Sequence, residues 1–166
     1  MTGTIVEQAR SFYDAGPYEG PEPDSSLFEL LDTAARLYPS RIALDYFGQT
    51  LSYAQVHDQV LRAARVLLDA GVRPGDTVAI ALPNCPQAFV AFYACMRIGA
   101  IAAQHNPLAP PAEVADQLER HGGRVAIVWE KCAEAYPLAT LDTVLTVDIS
   151  RAMPASQRVL LNLPVA

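Results

Sequence analysis

The sequence predicts an α/β protein: a mainly parallel sheet of βαβ units flanked by helices, with an N-terminal helix and a β-hairpin ahead of it. Three observations carry this reading. Short apolar runs over residues 77–82, 100–104, 124–129 and 143–147 show little polar alternation, as strands covered on both faces require. Helical signals fill the gaps over 84–99 and 111–121. Strands alternating with helices at this spacing imply right-handed crossovers and parallel pairing.

The elements follow in order. Residues 1–24 hold Gly16, Pro17, Gly20, Pro21 and Pro23 and read as an extended lead-in after a short helix. Ser26 to Glu29 has the form of a capping box, in which a hydroxyl accepts from the third amide and a carboxylate reaches back. Leu27, Leu30, Leu31, Ala34, Ala35 and Tyr38 then form one apolar stripe at helical spacing, stopped before Pro39. Ile42, Leu44 and Tyr46 alternate with Ala43, Asp45 and Phe47; Gly48-Gln49 turns the chain and residues 50–53 return, completing a hairpin. A second capping box, Ser52 to Gln55, starts a long helix with inner face Val56, Val60, Ala63, Ala64, Leu67 and Leu68. Gly71 stands where a left-handed residue closes a helix, Val72 offers the accompanying apolar contact, and Pro74 blocks continuation. Asn84 is the expected cap of the next helix, with Pro86 in its first turn and Gly99 after its end. The polar helix over 111–121 stops at Gly122-Gly123. From residue 151 to 166 an apolar set, Val159, Leu160, Leu161 and Leu163, reads as an unfinished element. The division expected is a lead-in over 1–24, one α/β unit over 25–150 and a truncated element over 151–166.

Composition narrows the function. The chain has 166 residues, 51% of them apolar and 18% charged, which suits one domain with a proper core rather than a disordered segment. A formal charge of −6, with basic residues that form no cluster, excludes a nucleic-acid footprint. Cys85, Cys95 and Cys132 show no CxxC spacing and read as reduced thiols of a cytoplasmic protein. The first residues lack a basic stretch followed by an apolar core, so no secretion signal is visible. The longest apolar run, over 88–96, falls far short of the ~20 residues that span a bilayer. At most, peripheral membrane contact is expected.

Parallel sheets bind ligands at the carboxyl ends of their strands. Those ends carry Pro83-Asn84-Cys85, His105-Asn106-Pro107 and Glu130-Lys131. His105 and Asn106 are the candidate substrate-binding residues, because an imidazole there can act as a base or hold a carboxylate or phosphate. The alternative is that both bind backbone groups of the turn. Cys85 at a helix start has the setting of a low-pKa thiol, although no adjacent base activates it. His57 reads as a surface or half-buried helix residue, and His121 as a cation at a helix end. Phe89, Phe92, Tyr93 and Met96 read as core. No catalytic residue and no metal ligand is assigned: the sequence holds no GxxxxGK[ST], no GxGxxG, no GxSxG and no metal-spaced His/Cys/carboxylate cluster.

Several of these segments carry a resemblance. Leu51 to Val56, Gly75 to Ile80, Leu82 to Pro86 (LPNCP), Ala91 to Ala100 and Asn106 to Leu108 with Glu113-Val114 resemble the N-terminal portion of the adenylate-forming superfamily. That superfamily comprises acyl-CoA synthetases, luciferases and peptide-synthetase adenylation domains. Ala109-Pro110-Pro111 departs from the pattern. The wording of LPNCP and NPL is most similar to long-chain fatty-acid–CoA ligases, and the similarity spans residues 25–150.

The resemblance implies a larger enzyme that converts a fatty acid, ATP and coenzyme A to acyl-CoA through an acyl-adenylate, with Mg²⁺. It places the phosphate loop, the adenine and Mg²⁺ motifs and the adenylation lysine beyond this chain. The expectation is therefore an N-terminal fragment, inactive alone and binding no cofactor itself, with the rest of the synthetase as partner and self-association when isolated. The alternative is a non-catalytic module that binds acyl chains or a partner synthetase.

Overall fold

The computed structural model describes residues 26–136 and 139–161, so the lead-in expected over 1–24 lies outside the described residues. Element order is α1 (Leu27–Leu37), β1 (Ile42–Tyr46), β2 (Gln49–Ser52), α2 (Tyr53–Asp69), β3 (Thr77–Ala81), α3 (Pro86–Ile98) and β4 (Ile101–Gln104). Then follow α4 (Pro111–His121), β5 (Val125–Trp129), a 3-10 turn (Glu130–Ala135), β6 (Thr143–Val147), a second 3-10 turn (Ile149–Ala152) and α5 (Ala155–Leu161). The predicted fold class holds. The four strands β3 to β6 form one parallel sheet in the order β4-β3-β5-β6, and β1 and β2 form a separate antiparallel hairpin.

The two faces of the sheet are packed differently. On one, Val78, Ile80, Val125 and Ile127 meet Ala64 and Leu67 of α2 and Ala91, Ala94 and Cys95 of α3. On the other, Ala79, Ala81, Ala126 and Val128 meet Val114 and Leu118 of α4, with Tyr136 and Leu141. A third cluster, Phe28, Leu31, Val56, Val60 and Val90, ties α1 to α2 and α3.

Local chemistry explains the boundaries. Ser52 forms its capping box in full: its hydroxyl accepts from Gln55 N–H at 3.3 Å, and Gln55 Oε1 accepts from Ser52 N–H at 2.8 Å. At the other end of α2, Val72 N–H donates to Leu67 O and Gly71 N–H to Leu68 O, both at 3.0 Å, with Gly71 at φ +92°. This is the Schellman closure that the sequence implies.

Four local expectations are corrected. The Ser26 hydroxyl makes no cap hydrogen bond, so the first capping box does not form. The stripe of α1 is rotated: Phe28 and Leu31 are buried, while Leu27 and Leu30 are exposed, because α2 and α3 cover only the Phe28 side. The hairpin turns at Phe47-Gly48 (φ +55° and +83°) rather than at Gly48-Gln49, which gives the two-residue geometry favoured by strand twist. The N-cap of α3 is Cys85, not Asn84, because the extended chain runs one residue further before turning.

Candidate functional site: a cleft at the carboxyl ends of β3 and β4

The connection leaving β3 is α3, on the bulky face of the sheet, and the connection leaving β4 is α4, on the alanine face. Adjacent strands whose connections diverge in this way open a crevice at their carboxyl ends, the usual ligand position of such sheets. A cleft of about 510 Å³ lies there. Asn84 and Cys85 from the end of β3, Gln104 from β4, Tyr46 from the hairpin and Phe89 and Tyr93 from α3 line it, with Phe92 beside them.

Helical spacing sets the aromatic wall. Phe89 and Tyr93, one turn apart, stack with ring centroids at 4.6 Å, and Phe92 meets Tyr93 edge-on at 5.5 Å. All three are half-buried: Phe89 and Tyr93 pack against the Phe28–Val90 cluster, as the core expected from their spacing, and with Phe92 they also line the cleft. Periodicity identifies a face but cannot say whether a neighbouring element covers it completely. Gln104 and Tyr46 were not singled out by sequence reasoning. The signal that could have found Gln104 is a polar residue closing an apolar strand.

The candidates at the strand ends fall in different places. Asn106 is exposed; its Oδ1 accepts from Leu108 N–H at 3.0 Å and its carbonyl from Ala109 N–H at 3.0 Å, shaping the loop after β4. His105 is only 7% exposed and points under α4, on the alanine face, rather than into the cleft. Its Nδ1 lies 3.0 Å from Tyr136 Oη and its Nε2 2.9 Å from His121 Nε2. Burial, then the neighbouring His121, pushes the His105 pKa down. His121 is also pushed down by burial, so the cation expected at the end of α4 is a neutral ring. Its Nδ1 accepts from Gly123 N–H at 3.0 Å. Lys131 sits over the Trp129 ring, 5.6 Å from its centroid. His57 is half-buried, stacked on Phe28 and 3.0 Å from Asp32 Oδ1.

The chemistry of the cleft is that of a binding wall. Burial raises the Cys85 thiol pKa, outweighing the amides of Ala88 and Gln87 that favour its thiolate, so the low-pKa setting suggested by the helix start is not realised. The lining holds the amides of Asn84 and Gln104, the hydroxyls of Tyr46 and Tyr93, the Asp45 carboxylate, which accepts from Gly48 N–H at 2.9 Å, and no basic side chain, which does not suit a nucleoside triphosphate. Among the described residues no three His, Cys, Asp or Glu side chains converge on a metal position.

The parallel sheet thus carries α2 and α3 on one face and α4 on the other, with the cleft at the carboxyl ends of β3 and β4. Residues 31–162 match the AMP-binding enzyme family, and the chain belongs to that family. It is similar to a long-chain-fatty-acid–CoA ligase of Bacillus subtilis, with 29% identity over 148 residues, covering 87% of this chain and 26% of that ligase. It is also similar to 4-coumarate–CoA ligase 3 of Oryza sativa, 42% identical over 52% of this chain and 15% of that protein. Among solved structures, the Mycobacterium tuberculosis fatty acyl CoA synthetase superposes with a TM-score of 0.67 at 24% identity, over 81% of this chain and 28% of that one. The chain thus spans about a quarter or less of the curated relatives named here.

Proposed function

We propose that this chain is the N-terminal part of an ATP-dependent long-chain fatty-acid–CoA ligase. In that reading it supplies scaffold and one wall of the acyl site, and it is inactive alone. The observation that carries the choice of acid is the extent of the match. Similarity to the Bacillus long-chain ligase runs through 87% of the chain, whereas the coumarate ligase matches over 52%. The cleft fits this assignment in chemical character, since Phe89, Phe92 and Tyr93 offer an apolar surface to a hydrocarbon tail.

The remainder of the synthetase is the partner in this proposal, and it brings the groups that hold ATP, Mg²⁺ and coenzyme A. The setting proposed is the cytoplasm, with at most peripheral membrane contact. Among the described residues no helix is long and apolar enough to cross a membrane.

The deciding experiment is acyl-CoA formation by the polypeptide read from the gene beyond Ala166, with palmitate, acetate and 4-coumarate offered in parallel. Preference for palmitate is expected, and preference for either other acid refutes the substrate. The 166-residue chain alone is expected to give no ATP–pyrophosphate exchange. A natural stop codon after Ala166, with saturable binding of palmitate by the chain, would instead favour the non-catalytic acyl-binding module, for which the aromatic cleft is the supporting feature.

A further inference from the structure

Three side chains on the alanine face form a hydrogen-bonded row that the binding cleft does not use: His121, His105 and Tyr136. The backbone fixes where its protons lie. Gly123 N–H donates to His121 Nδ1, so that nitrogen carries no proton and neutral His121 must carry its proton on Nε2. His121 Nε2–H therefore donates across 2.9 Å to His105 Nε2, which must be bare. Neutral His105 then carries its proton on Nδ1 and donates it to Tyr136 Oη at 3.0 Å. The phenol is 3% exposed and its pKa is pushed up to about 12, chiefly by burial, so Oη stays a neutral hydroxyl.

One further proton is poorly accommodated in this row: at His121 a backbone carbonyl favours it, but burial outweighs that. On His121 it would sit at Nδ1 and face Gly123 N–H. On His105 it would sit at Nε2 and face the proton already on His121 Nε2. Either choice breaks a hydrogen bond and sets two donors against each other inside the protein. We propose that the row is a proton-ordered latch. In its neutral state it holds the loop after β4 to the carboxyl end of α4 and to Tyr136, and it releases that loop when the histidine pair takes up a proton.

The neighbouring ionisable groups do not rescue the protonated state. On α4, Asp116 is paired with Arg120 and Glu113 accepts from Gln117. On the turn after β5, Lys131 lies over Trp129, Glu130 is exposed and the Cys132 thiol acts on Tyr136. Arg124, entering β5, is paired with Asp142. Asp76, entering β3, accepts from Arg73 N–H, and β3 itself offers no ionisable side chain. Glu119 and Glu134 are exposed along a separate cavity floored by Gly122 and Gly123.

The sign follows from the direction of both shifts. Each ring has a folded pKa below the ordinary 6.5, so the open state binds more protons. The closed state is fully favoured above about pH 6.5 and loses ground as pH falls toward the folded values. The limit is about tenfold per pH unit per ring.

The test is nitrogen-detected NMR of the imidazoles in the 166-residue chain, with His57 signals identified by their loss in His57→Gln. At about pH 7.5 the expected pattern is a proton on Nε2 of His121 and on Nδ1 of His105. Acidification toward about pH 5.5 should speed amide exchange in the loop after β4, at residues 105–109, and at residues 118–123, corrected for intrinsic rates, by about tenfold or more. His121→Gln keeps a donor toward His105 without titrating, and should cut that acceleration to at most that of a single ring. A proton on Nε2 of His105 at neutral pH overturns the latch. So does protonation of both rings with no change in exchange. The tautomer readout needs no variant at the latch, so it decides even if His121→Gln does not fold.

Discussion

Gly122 and Gly123 stand side by side between α4 and β5, and the structure requires glycine at each for a different reason. Gly122 lies at φ +65° with nothing within 4 Å of an added Cβ, so its constraint is conformational. A side chain there costs about 1–2 kcal/mol for the left-handed backbone, and Asn should recover part of that loss. Gly123 has no positive φ, yet its Cβ would lie 2.7 Å from the Thr77 carbonyl oxygen and 2.9 Å from two atoms of the His121 ring. The ring can swing aside only by abandoning His105. The carbonyl belongs to β3, which is in register with β4 from Thr77 and Ile101 onward, so its retreat strains the ladder. Gly123→Ala should therefore cost about 3 kcal/mol, the upper end of overpacking penalties. At a urea slope of about 2 kcal/mol per molar, that lowers the unfolding midpoint by roughly 1.5 M, against about 0.5–1 M for Gly122→Ala. Equilibrium urea unfolding followed by Trp129 fluorescence measures both. The reasoning fails if Gly123→Ala is the milder substitution, or if Asn relieves position 123 and not position 122.

Other outcomes follow from single contacts. Ser52→Ala should lose about 1 kcal/mol because both halves of its capping box form, whereas Ser26→Ala should stay within a few tenths, since that hydroxyl caps nothing; urea midpoints of the pair give the comparison. Phe47→Asn should raise stability by about 0.5–1 kcal/mol, because Phe47 holds φ +55° in a turn that suits Asn-Gly, at the cost of its edge contact with Tyr46; thermal unfolding reads the sign. Cys95 is buried with its thiol pushed up to about 12, and buried Cys85 is also raised, so in the native protein Ellman's reagent should react first with half-buried Cys132. Cys132→Ser should abolish that fast phase, and a fast phase that survives it would contradict the assigned burial.

Much of the sheet was legible because its code is local. A fully covered strand such as β3 must be apolar on both sides, and a helix end such as Gly71-Val72 must offer a left-handed residue and an apolar contact. The errors fall where a second element decides. The stripe of α1 is a valid helical pattern, but only packing against α2 and α3 selects Phe28 over Leu27 and Leu30. The cleft was half legible. Strand ends pointed to Asn84 and His105, yet Gln104 and Tyr46 reach the cleft from two different sheets, and His105 turns away from it. The pairing of His105 with His121 could not be read at all, since 16 residues separate them and the contact depends on how α4 crosses the sheet.

The division of labour between the two faces of the sheet accounts for that pairing. Along β3, Val78 and Ile80 fill one side, and Ala79 and Ala81 leave the other shallow. Bulky residues on that second side would lift α4 away and leave the polar edges of two imidazoles facing empty space. With alanines beneath, α4 seats through Val114 and Leu118, and the row from His121 to Tyr136 lies beside those apolar contacts. Such a row is tolerable in a core only when each of its contacts sets a donor against an acceptor, and here the Gly123 amide fixes that order from His121 to Tyr136. The Ala-Ile-Ala run within the segment that resembles the ligases thus has two effects. It closes the core against α2 and α3, and it makes room for a polar device that the family resemblance alone would not disclose.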